Sequence, residues 1–145
     1  VSKAYVKNAQ VVVMKDDALA DYADAASLAD LSFVAEAGSA GEKEIQALNI
    51  ENYLAFETQS AALLEVEAGK ADACVIDITM ANAMTGEGTS YANLTKTGSL
   101  TEEEYGIGCR LNSDTCTEIN KIMDKFMADG TLDALAKKYE LTLVK

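Results

Sequence analysis

Four short apolar runs recur along the chain, separated by stretches of helical period, and this alternation limits the fold more than any other feature. QVVVM at 10–14, LSFVAE at 31–36, NYLAF at 52–56 and DACVI at 72–76 have strand length and polar flanks. Helix-like segments lie between them near 22–30, 40–48 and 59–68. Strand–helix–strand order of this kind predicts an α/β fold with a mostly parallel sheet flanked by helices. None of the runs approaches the ~20 apolar residues that cross a bilayer, so neither a membrane span nor a signal peptide is expected. A chain of 145 residues, 49% of them apolar, can build one ordinary domain or two small lobes.

Local signals place the helix ends. Ser39 with Glu42 has capping-box spacing, and Gly69 follows Ala62, Leu63 and Val66 as a helix C-terminal glycine before Lys70. Thr85 to Glu104 is rich in Gly, Ser, Thr and charge and reads as a connector around a short strand at Tyr91 to Leu94, after which YGIGCR reads as a strand. Ile119, Ile122, Met123, Phe126 and Met127 mark one face of a helix, with Thr115 and Glu118 as a second capping box. Gly130 ends it. Leu132, Leu135, Ala136 and Tyr139 form the stripe of a last helix capped by Thr131, and the methionines read as core.

Charge and composition exclude several functions. With 24 acidic and 12 basic residues the net charge is −12, which repels nucleic acid and anionic membranes. The absence of His removes imidazole catalysis, Ser-His-Asp and Cys-His triads and most zinc sites. No metal or cofactor is expected. Cys74 lies inside an apolar run and reads as a buried, inert thiol. Cys109 and Cys116 pair if a strand end folds back on a helix start; two free thiols are the expectation.

Ligands of open parallel sheets bind beyond the carboxyl ends of the strands, and two features fall there. Gly38–Ser39–Ala40–Gly41 follows LSFVAE and leads into a helix, offering N–H donors at its positive end. Asp77 directly follows DACVI and offers a carboxylate. A free α-amino acid is the simplest ligand that satisfies both. Each feature also has a plain reading. The turn lacks GxGxxG spacing and Lys43 lacks a Walker pattern, so the turn alone is a capped helix start. Asp77 serves equally as the N-cap of a helix beginning near Ile78, a role Thr79 can also take. Glu102, Glu103 and Glu104 read as a solvated charge run and Asp72 as a strand-start residue, and no spacing suggests paired catalytic carboxylates.

Four stretches in order resemble the extracytoplasmic amino-acid-binding proteins of bacteria, the family 3 solute receptors of ABC importers. They are VSKAYVKNAQVVVMK, LADLSFVAEAGSAGEKEI, ALLEVEAGKADACVIDITMANAM and EYGIGCRLNSDTCTEINKIMDKFMADGTLDALAKKYEL, and together they span nearly the whole chain. The resemblance implies a periplasmic-binding-protein-like fold in which residues 1–95 form the second ligand-binding lobe. Residues 96–145 are then a connector, a returning strand and two C-terminal helices of an incomplete first lobe. The remainder of that lobe, where the family carries an Arg for the ligand carboxylate, has no counterpart here.

By position, Asp77 corresponds to the family's ligand for the substrate ammonium, and Ser39 and Ala40 to the turn whose N–H groups reach the carboxylate. Ala40 departs from the Thr common there, and Gly41 stands where the family often reads the ligand side chain. The resemblance therefore implies binding of a small polar amino acid through Gly38, Ser39, Ala40, Gly41 and Asp77, outside the cytoplasm, with ABC permease subunits as partners and no catalysis. The alternative is the ligand-sensing domain of a membrane signalling receptor on the same fold; a dehydratase-like or lyase-like relative is a third reading. The apolar stripe from Ile119 to Met127, without the sheet it would cover, predicts self-association through the C-terminal segment.

Overall fold

The computed structural model describes residues 1–21 and 26–145. In chain order the elements are β1 (Val6–Lys15), β2 (Phe33–Glu36), α1 (Ala40–Ala47), β3 (Tyr53–Phe56), α2 (Gln59–Glu67), β4 (Ala73–Asp77) and α3 (Ile78–Met84). They are followed by β5 (Leu94–Tyr105), α4 (Thr115–Ala128), α5 (Thr131–Tyr139) and β6 (Thr142–Leu143). Short 3-10 turns occupy Asp16–Asp21 and Ala26–Leu28. The helix expected near 22–30 lies partly outside the described residues, and Ala26–Leu28 is the 3-10 turn. The chain divides into two units, Ala9–Thr101 and Val1–Asn8 with Glu102–Lys145.

In the larger unit every apolar run becomes a strand; alternate side chains of β1, β2 and β4 are buried on opposite faces, whereas Leu54 and Ala55 of the edge strand β3 are exposed. Val11, Val13, Cys74 and Ile76 pack on one face with Ala62, Leu63 and Val66 of α2 and Ala81 of α3. Val12, Met14, Ala73 and Val75 pack on the other with Ile45 of α1 and Phe33 and Ala35 of β2. Burial on both faces is why the runs in β1, β2 and β4 are continuously apolar rather than alternating. The strand order is β3-β2-β4-β1-β5. Strands β3, β2 and β4 are parallel, as expected, but β1 runs antiparallel to β4 with Gln10 opposite Asp77 and Val12 opposite Val75, so the sheet is mixed. Asp72 has more than a strand-start role: its Oδ2 accepts from the Ser32 N–H at 2.9 Å and hydroxyl at 3.0 Å, tying the entrances of β2 and β4.

Helix α1 approaches β4 more closely than any side chain would allow. A Cβ on Gly41 would lie 2.6 Å from the Val75 carbonyl oxygen. Glycine is required here by close approach, since the obstacle is backbone and cannot swing aside. Cys74 is buried as expected, and burial pushes its thiol pKa up to about 12.

Of the segment read as a connector, residues 85–93 are turns with a Thr85–Tyr91 bridge, but Leu94–Tyr105 is the 12-residue strand β5, and YGIGCR is not a strand. Strand β5 stands last in the sheet order, so half of its residues are exposed to water and Thr, Ser and Glu suit its free face. Pairing with β1 overrides the loop-like composition. Leu94 is buried in the first core cluster.

The smaller unit holds Tyr5 N–H on Tyr105 O at 2.9 Å, and Val6 and Lys7 pair with Leu143 and Thr142 of β6. Glu103 is not merely solvated, since its Oε2 accepts from Asn8 Nδ2 at 2.8 Å. Both expected caps shift by one residue. The N-cap of α4 is Asp114, without a side-chain cap bond, so Thr115 and Glu118 do not form the box. The N-cap of α5 is Gly130 at φ 84°, and Asp129 Oδ1 takes the Thr131 N–H at 2.9 Å. Hydrogen bonds from Thr131 hold the Asp129 carboxyl below its usual pKa. The α4 stripe is only partly covered, with Ile122 51% exposed.

Cys109 and Cys116 form a disulfide, contrary to the expectation of free thiols. The backbone after β5 turns back before α4 begins, which brings the two Cα atoms to 5.9 Å.

Two stability measurements follow from this packing. Gly41→Ala should lower the urea-unfolding free energy by about 1–3 kcal/mol through overpacking against Val75; an unchanged midpoint would show that α1 shifts freely. Closing the short Cys109–Cys116 loop removes unfolded-state entropy worth about 2–3 kcal/mol. Melting of the Cys109→Ser/Cys116→Ser variant should fall accordingly, and equal melting of both forms would contradict it.

Candidate functional site

Parallel register brings the two sequence features to the same end of the sheet. Val34 is aligned with Cys74 and Glu36 with Phe56, so β3, β2 and β4 all run out toward one edge. There β2 enters the turn before α1, β3 enters the Thr58 cap of α2, and β4 ends in Asp77.

The turn is built by its caps. Ser39 is the N-cap, its Oγ accepting from the Glu42 N–H at 3.1 Å, while Glu42 Oε2 reaches back to the Gly38 N–H at 2.6 Å. This is the expected reciprocal arrangement, with the return bond on Gly38 rather than on Ser39. Gly38 sits at φ 75°, a left-handed conformation open to glycine. Ser39 N–H is occupied by Glu36 O at 3.2 Å. Ala40 and Gly41 then carry the two first-turn N–H groups that no acceptor among the described residues takes up. Of the four turn residues, those two are available to an anion through their backbone. Glu42 itself is also held by the Tyr53 hydroxyl at 3.3 Å, so a carboxylate of the protein already sits beside the turn.

Asp77 stands at the N-cap position of α3, but its side chain makes no cap bond. Both carboxylate oxygens are instead engaged by glutamine amides, one from the neighbouring strand β1 and one from the start of α2. Gln10 Nε2 donates to Oδ1 at 2.6 Å and Gln59 Nε2 donates to Oδ2 at 2.8 Å. Asp77 N–H returns a bond to Gln59 Oε1 at 3.2 Å. Gln10 is buried, while Gln59 and Asp77 are half-buried. Sequence reasoning missed both glutamines. Their signals were slight: Gln10 is the polar head of QVVVM, and Gln59 follows the Thr58 cap.

Gly41 has no room for a side chain toward Val75, so it can act only through its backbone. Among the described residues no group of three or more His, Cys, Asp or Glu side chains is placed to hold a metal ion. No helix among them is long and apolar enough to cross a membrane.

No protein-family model matches the chain, and no curated protein matches it. Solved structures do. The ancestral amino-acid-binding protein AncCDT-1, described as a precursor of cyclohexadienyl dehydratase, superposes with a TM-score of 0.78 at 23% identity over 95% of this chain and 60% of its own. The P235GK mutant of ArgBP from T. maritima gives 0.75 at 25% identity, again over 95% and 60%. The GluR0 ligand-binding core from Nostoc punctiforme, solved with L-glutamate, gives 0.76 at 23% identity over 95% and 63%. An amino acid ABC transporter substrate-binding protein, AbpA from Streptococcus pneumoniae, solved with L-arginine, matches over 95% and 59%. The chain spans about 60% of the length of these structures. Over that span it has the periplasmic-binding-protein-like α/β fold of amino-acid substrate-binding proteins.

Proposed function

We propose that this chain contributes half of a binding site for a small polar amino acid. The observation that carries the reading is the shared sheet end, where two free N–H groups of Ala40 and Gly41 and the Asp77 carboxylate leave adjacent parallel strands. The N–H pair and the positive end of α1 suit a ligand carboxylate, and Asp77 suits its ammonium. Gly38 and Ser39 shape the turn, and Gly41 packs it onto β4. Residues 1–95 act as one ligand-binding lobe and 96–145 as the connector and C-terminal part of the other.

Delivery to ABC permease subunits is the physiological role we assign, outside the cytoplasm. The Cys109–Cys116 disulfide supports an oxidising compartment. Self-association through the C-terminal segment would cover the partly exposed α4 stripe. A second reading, a ligand-sensing domain, is favoured by the likeness to the GluR0 ligand-binding core.

Calorimetry with each of the twenty common L-amino acids, on the chain as it stands and on any longer polypeptide that contains it, tests the reading. Asp77→Asn should weaken the bound amino acid by about 2–5 kcal/mol, since a desolvated ammonium loses its counter-charge. Unchanged affinity would remove Asp77 from the site. The carboxylate half has its own test. Ala40 is the first residue of α1, where proline is tolerated, and Ser39 is already extended at φ −76° and ψ 166°, as a residue before proline must be. Ala40→Pro therefore deletes one N–H at little cost to the fold. It should weaken binding more than Ala40→Ser does; equal losses would exclude an N–H contact there.

A further inference from the structure

We infer that Tyr53 is a positioning residue that keeps the Glu42 carboxylate off the N–H groups of Ala40 and Gly41, so that a ligand carboxylate can take them; this deepens the proposed binding reading and rests on it. Glu42 is the acidic residue in the first turn of α1. A negative side chain there is attracted to the positive end of its own helix. It is therefore a built-in competitor of any anion that arrives from solution. A tethered carboxylate has a high effective concentration, so even partial occupancy of those N–H groups by Glu42 weakens the binding of a free one.

Both oxygens of Glu42 are used elsewhere. Oε2 accepts from the Gly38 N–H at 2.6 Å, and Oε1 accepts from the Tyr53 hydroxyl at 3.3 Å. The first bond belongs to the turn itself, whereas the second comes from β3, 11 positions away. Tyr53 is fixed in its strand by the pairing with Phe33 of β2, and its ring packs against the core cluster that holds Phe33 and Ile45. Its hydroxyl accepts from Gln46 Nε2 at 2.8 Å. A phenol has one proton to donate, and the Gln46 amide on its oxygen leaves that proton for Glu42. Gln46 lies one turn after Glu42 on α1, so the two helix residues meet on one hydroxyl of the neighbouring strand. Without that hydroxyl, Oε1 loses its donor and Glu42 can turn to the first-turn N–H groups of Ala40 and Gly41, which no acceptor among the described residues takes up.

Sodium acetate, a bare carboxylate, is the probe. Its binding is read from the backbone amide resonances of Ala40 and Gly41 in the ¹⁵N-labelled chain, with sodium chloride at equal ionic strength as the reference. Tyr53→Phe should raise the acetate dissociation constant about two- to tenfold, the range that one hydrogen bond supplies. The same change in a Glu42→Gln background should have little effect, because a neutral amide competes poorly for the N–H groups. Equal losses in the two backgrounds would mean that Tyr53 only packs β3, and would overturn the inference. An acetate constant that Tyr53→Phe leaves unchanged overturns it as well, while the binding reading stands. Before any acetate is added, Tyr53→Phe should also move the Gly38 amide resonance; a resonance that stays in place counts against the latch in the same way. Thermal melting confirms that each variant is folded. Gln46→Ala leaves the ring in place and serves where Tyr53→Phe does not fold: it frees the hydroxyl proton and should weaken acetate in the same direction, and an unchanged constant then overturns the inference. If acetate moves neither resonance in the unaltered chain, the carboxylate half of the binding reading falls and the inference with it.

Discussion

The contact on which the candidate site depends is the one between Gly41 and the Val75 carbonyl oxygen, where a Cβ would sit at only 2.6 Å. Through it the first turn of α1 lies directly on β4, two residues before that strand ends in Asp77. A helix held off by a side chain would carry Ala40 and its N–H away from the strand end. The absence of a side chain at Gly41 is therefore structural first. It fixes the distance between the turn before α1 and the Asp77 carboxylate before any question of ligand preference arises.

Two carboxylates near this edge are handled in opposite ways. Glu42 is turned onto the protein's own Gly38 N–H and the Tyr53 hydroxyl, which completes the cap of α1. Its charge is used locally, against the positive end of the helix. Asp77 stands at an N-cap position yet makes no cap bond, and its oxygens point to the amides of Gln10 and Gln59. Both amides are neutral, so neither places a positive charge on the carboxylate. In a protein with a net charge of −12, what distinguishes this carboxylate is how it is held.

The smaller unit follows a different logic. Helices α4 and α5 have clear amphipathic patterns, but α4 has no buried residue, and its N-cap lacks a side-chain bond. Local covalent closure takes part of the load: the Cys109–Cys116 disulfide ties the chain leaving β5 to the first turn of α4. This restrains a segment that has little hydrophobic burial of its own. The Asp129 carboxylate on the Thr131 N–H does comparable local work at the start of α5.

The sequence by itself determined the features whose cause is local. Strands β1, β2, β3 and β4 were legible because their apolar runs have strand length, and α1 and α2 because Ser39, Glu42 and Gly69 mark their ends. Asp77 was legible as the residue at a strand end, and the Gly38–Gly41 turn as the entry to a helix. The tertiary structure decided what depends on partners distant along the chain. Strand β5 has the composition of a loop and exists because β1 supplies its hydrogen bonds. The antiparallel direction of β1 places Gln10 against Asp77, 67 positions apart, and the packing of α2 brings Gln59 to it from 18 positions away. Periodicity and capping act within a strand or a helical turn, whereas the surroundings of Asp77 come from strand register and helix docking, and neither leaves a mark on the residues nearby in sequence.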